Sequence, residues 1–356
     1  MVVSGDLWWW LTALLRCFPP EMAHGFSIRA LRAGLHPRMS RPDDPILAGE
    51  VWGRHFPNPL GLAAGYDKGG QVPDALIAMG FGFVEVGTVT PRPQPGNPKP
   101  RLFRLFEDRA LINRLGFNSE GLDVARSRLV HRRSRSAPGV VGANVGKNKD
   151  SADAAADYAQ GAHVLAPLAD YLVINVSSPN TPGLRALQRR ADLAAVIGAV
   201  RTALPASAPP LLVKVAPDLS PAEREDMAAV SLECAVDGLI IGNTTLSRPD
   251  DLRSAHRGEV GGLSGRPLMA LSTAVLADLY RLTGGRVPLI GCGGVSSGAD
   301  AYAKIRAGAR LVQLYTALVY EGPSLIGRIK ADLAARLRAD GFRSVADAVG
   351  TAKALG

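Results

Sequence analysis

From about residue 58 onward, short apolar runs alternate with stretches whose apolar residues recur at helical spacing. The runs at 60–64, 83–86, 140–144, 171–176, 211–215, 238–241, 288–291 and 310–314 read as strands. Stretches such as 187–204, 222–234 and 299–307 read as the helices between them. Near-continuous apolar strands are what a parallel sheet covered on both faces requires. Eight β/α units close on themselves more readily than they form an open sheet, so the expected fold is α/β, a (β/α)8 or TIM barrel.

The polar residues that interrupt this pattern fall just after the strands. Lys68 follows the first and Thr88 the second; Asn144 ends the third; Asn175 lies in the fourth, with Ser178 beyond it. Lys214 is in the fifth, Asn243 follows the sixth, Gly293 and Gly294 follow the seventh, and Tyr315 and Thr316 the eighth. The C-terminal ends of barrel strands form the active-site face, so this agreement of position outweighs any single motif. Two connections are long, 88–117 and 243–265, and long loops in a compact domain are usually functional.

Ahead of the barrel, the run LWWWLTALL (7–15) is too short to span a bilayer, which needs about 20 apolar residues. It lacks the basic lead and small-residue cleavage site of a signal peptide and the Arg and Ser of a transit peptide. Pro19, Pro20 and Glu21 then mark a helix start, and Met22, Phe26 and Ala30 recur at helical spacing. Two short helices are expected. Tryptophan is apolar with one N–H to satisfy and favours the water–lipid boundary. An interfacial anchor and a helix packed on the barrel or on a second copy both remain open here. The expected division is 1–48 for this extension and 49–356 for the barrel.

Composition narrows the classes. The net charge is +9, and 101–135 holds nine arginines against four acids, but no basic block is interleaved with aromatics, which argues against nucleic-acid binding. Cys17, Cys234 and Cys292 are far apart and show no metal or cluster spacing. His24, His131, His163 and His256 show none either, so no metal is expected. The P-loop-like GANVGK (142–147) is one residue short, and Asn148 stands where Ser or Thr would meet magnesium. Gly291-Cys292-Gly293-Gly294 lacks the third glycine of a dinucleotide fingerprint.

Other residues carry chemistry. Gly293 and Gly294 offer close backbone approach, with a helix expected from about Ser296–Ser297, which suits a phosphate. Lys214 lies within LLVKV, where a lysine is costly unless an anion meets it. A reduced flavin, negative on its pyrimidine edge, would be such an anion. Asn113, Asn175, Asn180 and Asn243 can each donate and accept, which suits a planar ring of alternating C=O and N–H, with Lys68 on a carboxylate. Ser178 sits in the shaped loop SSPNTPG and needs a partner or a water relay to act as a base. With no His–Asp pair nearby, a hydrolase triad is not expected.

Ten stretches spread along nearly the whole chain resemble the class 2, quinone-linked dihydroorotate dehydrogenases. They are NPLGLAAGYDKGG (58–70), VEVGTVTPRPQPGNPKPRLFRL (84–105), INRLGFNSEG (112–121), GANVGKNKD (142–150), INVSSPNTPGLR (174–185), VKVAPDLS (213–220), GNTTLSR (242–248), GGLSGRPL (261–268), IGCGG (290–294) and VQLYTALVYEGP (312–323). The resemblance implies oxidation of dihydroorotate to orotate, one FMN per chain, and a membrane quinone, ubiquinone or menaquinone, as acceptor. It implies FMN contacts from Ala64, Gly65, Lys68, Thr88, Asn144, Asn175, Lys214, Gly265, Gly294, Tyr315 and Thr316. Substrate contacts are implied for Lys68, Asn113, Arg114, Leu115, Gly116, Phe117, Asn175, Asn180, Asn243 and Thr244, with Ser178 as the catalytic base. His24, Arg104 and Tyr315 match positions lining a quinone tunnel. Serine rather than cysteine at 178, together with the N-terminal extension, selects class 2 over a soluble class 1 enzyme using fumarate or NAD. One departure is Gly242, where relatives carry Thr or Ser, so a hydroxyl contact to FMN is in doubt. A monomer held peripherally on the cytoplasmic face of a bacterial inner membrane is the expectation that follows.

Overall fold

The computed structural model describes residues 5–39 and 42–352, so the outermost ends of both expected divisions lie outside the described residues. Two helices come first, α1 (Gly5–Arg16) and α2 (Pro20–Arg32), separated by the predicted proline break. The strands in chain order are β1 (Gly49–Val51), β2 (Arg54–Phe56), β3 (Leu60–Leu62), β4 (Phe83–Val89), β5 (Leu102–Leu105), β6 (Ala110–Asn113), β7 (Val140–Val145), β8 (Tyr171–Asn175), β9 (Leu211–Val215), β10 (Gly238–Ile241), β11 (Gly262–Gly265), β12 (Leu289–Cys292) and β13 (Ala309–Leu314). The further helices are α3 (Pro73–Ala78), α4 (Leu122–Ser134), α5 (Ala154–Leu165), α6 (Arg190–Ala203), α7 (Pro221–Glu233), α8 (Met269–Leu282), α9 (Gly298–Arg306), α10 (Thr316–Glu321), α11 (Ser324–Ala339) and α12 (Val345–Ala348).

Eight strands pair in parallel into a closed barrel, in the order β3, β4, β7, β8, β9, β10, β12, β13 and back to β3. These are the eight predicted runs, with ends shifted by at most a few residues. The shortfall at 63–64 arises because Leu62 is the last paired residue of β3.

Along a strand successive side chains face opposite ways, and this sets the layers inside the barrel. Phe83, Tyr171, Val173, Leu212, Ile240, Ile290 and Leu311 point inward and pack into one apolar plug. Their outward neighbours, such as Val84, Val213 and Val215, join the main core beneath the helices. The hairpin β1–β2 closes the N-terminal end, adding Val51 and Phe56 to the plug, and Trp52 Nε1 donates to Asp237 O at 2.6 Å. Gly142 is required here: a Cβ would run into the Tyr171 ring. Two residues further along the strands the inward positions become Glu85, Asn144, Asn175, Lys214 and Gln313, all buried, which form a polar floor above the plug.

The two long connections are not loops throughout. The first folds into the antiparallel hairpin β5–β6, and the second contributes β11, which pairs with β6 in register Gly262↔Asn113 through Gly265↔Ala110. This three-stranded sheet caps the barrel mouth over its own small core of Phe103, Leu105, Ala110, Ile112, Leu252 and Leu263.

The helices α1 and α2 lie beside that cap. Buried Arg101 donates to Glu21 at 2.7 Å, tying α2 to β5. Arg104 Nη1 donates to the carbonyls of Arg16 (3.0 Å) and Phe18 (2.7 Å), satisfying acceptors left over at the end of α1. Trp9, Trp10, Leu11 and Leu14 on α1, with Phe18 and Met22, form an exposed apolar face. Among the described residues no helix is long and apolar enough to cross a membrane.

Candidate active site

A cavity of about 490 Å3 lies between the polar floor and the three-stranded cap, at the C-terminal ends of the barrel strands. It falls within the size range of small-molecule sites. Its wall includes Ala64, Gly65, Lys68, Thr88, Asn113, Leu115, Gly116, Phe117, Asn175, Ser178, Asn180, Lys214, Gly242, Asn243, Thr244, Gly265, Gly294, Tyr315 and Thr316. Most of the residues singled out from sequence therefore converge on one space, although they come from segments up to 250 residues apart.

Asn144 does not reach the wall. It stands behind it, accepting from Thr88 Oγ1 (2.6 Å) and Asn175 Nδ2 (3.2 Å) and donating to Glu85 at 2.8 Å. Asn175 Nδ2 also donates to Thr88 Oγ1 at 2.9 Å, and Asn175 Oδ1 accepts from Ser177 Oγ at 2.9 Å. Asn243 donates to that same Ser177 Oγ at 3.0 Å. The amides thus orient one another, and the network holds the wall rigid.

Arg114 is not among the residues of the cavity wall. Its guanidinium turns outward to Glu259 at 2.7 Å and stacks over Phe103 at 4.5 Å. The chain at this point is paired to the hairpin, where the Arg114 N–H donates to Arg101 O, and that register sends the side chain away from the cavity.

Ser178 is buried, and among the described residues its Oγ accepts only the Asn180 N–H, at 3.3 Å, and hydrogen-bonds to no His, Asp or Glu. Thr181, three residues on, has a buried hydroxyl with no partner among the described residues, as has Thr244 on the wall. The loop that carries Ser178 is fastened to the cap by Asn180 and Asn97.

Lys68 stands on the wall beneath α2. Burial lowers its ammonium to about 8, and the nearby Arg101 charge adds to this. His24 packs edge-on against Tyr66 (5.1 Å), and Tyr66 against Tyr315 (5.6 Å), so an aromatic path runs from α2 to the cavity. Burial lowers the His24 imidazole to about 4 and keeps it neutral. His24 and Arg104 themselves do not line the cavity.

The glycine turn lies ahead of a helix, as predicted, with Ser297 as its N-cap. Gly293, Gly294, Val295 and Ser296 face the cavity, and a Cβ on Gly294 (φ +82°) would run into the Met269 backbone. The start of α9 caps itself, however. Ser297 accepts the Asp300 N–H at 3.1 Å, and the Asp300 carboxylate accepts from the Ser296 N–H and hydroxyl, both at 2.9 Å. Among the described residues no cluster of His, Cys, Asp and Glu could hold a metal ion.

Sequence reasoning missed Glu85, Gln313 and Ser177. A signal existed for the first: an acid inside the apolar run FVEVG carries the same burial cost that singled out Lys214 in LLVKV.

A family model described as dihydroorotate dehydrogenase matches residues 46–337. The chain is 62% identical over 351 residues to a protein of Azorhizobium caulinodans named dihydroorotate dehydrogenase (quinone), covering 97% of this chain and 99% of that one. It is 52% identical over 349 residues to the mouse protein named dihydroorotate dehydrogenase (quinone), mitochondrial, covering 96% and 88%. Among solved structures, the crystal structure of DHODH from Eimeria tenella in complex with ferulenol superimposes with a TM-score of 0.91 at 46% identity, over 93% of this chain and 95% of that one.

Proposed function

The chain belongs to the dihydroorotate dehydrogenase family, in its quinone-linked branch, and from that membership and the geometry above we propose that it oxidises dihydroorotate to orotate in pyrimidine biosynthesis and passes the electrons to a quinone. The observation that carries the reading is the convergence of Lys68, Lys214, Ser178 and the asparagines 113, 175, 180 and 243 on one cavity.

The cavity's chemistry fits FMN. Its wall would offer Lys214 to the negative pyrimidine edge, Asn175 and Thr88 to ring heteroatoms, and a glycine turn with Gly265 and Thr316 to a phosphate. Asn144 would act from behind, by aligning Thr88 and Asn175. Bound there, FMN supplies the acceptor for the C6 hydride of the substrate. The residues of the chain do the rest. Lys68 pairs with the dihydroorotate carboxylate, and the asparagine amides match the alternating C=O and N–H of its ring. Ser178 takes the C5 proton, which must leave through a water or a neighbouring hydroxyl because no stronger base adjoins it. The loop fastened to the cap keeps bulk water out during this step.

Quinone access is proposed along α1 and α2, by way of His24, Tyr66 and Tyr315. Arg104 keeps the end of α1 in place. The exposed tryptophans support a peripheral position on a membrane, which we place at the cytoplasmic face of a bacterial inner membrane.

The test is a steady-state assay of the detergent-solubilised protein with dihydroorotate and, in parallel, a short-chain ubiquinone, fumarate or NAD. Orotate formed only with quinone is the expected result. Turnover only with fumarate or NAD would overturn the acceptor. No orotate in any tube would overturn the substrate.

A further inference from the structure

Glu85 is fully buried on β4, one layer below the cavity, and it does not line the wall. Four groups converge on its carboxylate. Asn144 donates to Oε1 at 2.8 Å, and Gln313 to Oε2 at 2.7 Å. The Tyr171 hydroxyl lies 3.5 Å from Oε2, and Lys214 Nζ lies 3.6 Å from Oε1. Among the described residues Glu85 is the one carboxylate within 4.0 Å of Lys214.

This arrangement separates two tasks. The carboxylate's hydrogen bonds come from two neutral amides and the Tyr171 hydroxyl, so it is fixed without using the ammonium's protons. Lys214 is attracted by charge alone and makes no hydrogen bond within the described structure, which leaves its donors to the cavity that it lines. A buried ammonium and a buried carboxylate are each costly alone and much less so as a pair. Glu85 therefore offsets part of the cost of burying the Lys214 charge, and it also cancels part of that charge as felt from above.

We propose that Glu85 is a positioning residue that sets the reduction potential of the flavin. It holds Lys214 in place, aimed at the cavity, while opposing the build-up of negative charge above it. This inference rests on the FMN reading given above.

The test is an anaerobic redox titration of the bound flavin, followed by its absorbance between pH 6 and 9, in wild type and Glu85→Gln. The substitution is nearly isosteric. Gln313 Oε1 is buried without a partner, so a turned Gln313 amide can accept the new N–H and close the network. Removing the carboxylate removes repulsion against the reduced, negative flavin, so the midpoint potential should rise. The expected shift is about tenfold in the reduced-to-oxidised ratio, about 30 mV for a two-electron couple. The other ionisable groups facing the pair, the Tyr171 hydroxyl and the Cys292 thiol, are both pushed up by burial and stay neutral. Glu85→Asp keeps the charge and should stay close to wild type; a shift as large as that of Glu85→Gln would show that charge is not the cause. An unchanged or lowered potential in folded, yellow Glu85→Gln would overturn the inference alone. Wild-type protein that holds no flavin would overturn the FMN reading and this inference together.

Discussion

Asn180 Nδ2 donates to Asn113 Oδ1 at 3.0 Å, joining the loop after β8 to the last residue of β6. The same asparagine's carbonyl accepts from Asn97 at 3.3 Å, so the serine loop is held to the cap at two points. Both amides keep further donor or acceptor capacity, and both line the cavity. A ligand ring that engages them would therefore draw loop and cap together around Ser178.

Ser178→Ala should leave flavin and substrate binding nearly unchanged, since the lost hydroxyl accepts a single backbone N–H at the long distance of 3.3 Å. General-base catalysis by a placed side chain contributes roughly 10²–10⁴-fold, and rapid mixing should show flavin reduction slowed by that order. Reduction at the wild-type rate would remove Ser178 from the mechanism.

Lys68 gives the reaction a pH limit. Its ammonium is lowered to about 8, chiefly by burial, so the charge that meets the substrate carboxylate is complete well below pH 8 and lost above it. The kcat/KM profile, which reports the free enzyme, should fall as pH rises through about 8, mainly through KM. Lys68→Arg should carry the activity that it retains to higher pH. A profile flat to pH 10 would contradict the assignment.

Gly242 lines the cavity, and a Cβ there would meet Pro217 at 3.4 Å, a contact that slight adjustment accommodates. Gly242→Thr should fold and should supply a hydroxyl to FMN. One added hydrogen bond contributes about 0.5–1.5 kcal/mol, so flavin release measured by fluorescence should slow by roughly 2- to 10-fold. Unchanged or faster release would mean that the hydroxyl finds no flavin partner.

Trp9 and Trp10 are 46% and 65% exposed, next to exposed Leu11 and Leu14. Burying one large apolar side chain is favourable by about 1.5–3 kcal/mol. The double variant Trp9→Ser/Trp10→Ser should therefore co-sediment at least about tenfold less with phosphatidylcholine–phosphatidylglycerol vesicles. Dihydroorotate-driven reduction of a soluble dye should be unaffected. Undiminished vesicle binding would assign this face to some other contact.

The barrel was legible in the sequence because its signals are local. A strand buried on both faces needs a continuous apolar run, and a lysine or asparagine breaking such a run marks an inward or strand-end position. Lys214, Asn175 and Thr88 were found in this way, and all three line the cavity. The partners of those residues were not legible. Strands β5, β6 and β11 are four residues each, too short to stand out as runs, and β11 pairs with β6 across about 150 residues of chain, so Leu102–Leu105 and Gly262–Gly265 read as loop. That pairing, not local chemistry, turns Arg114 outward to Glu259. Barrel closure likewise brings Gln313 on β13 to Glu85 on β4 and sets Lys214 beside it. The sequence by itself determined which side chains would be costly to bury. Only the tertiary structure decided which of them meet, because the distances that join them are fixed by closure of the sheet and not by spacing along the chain.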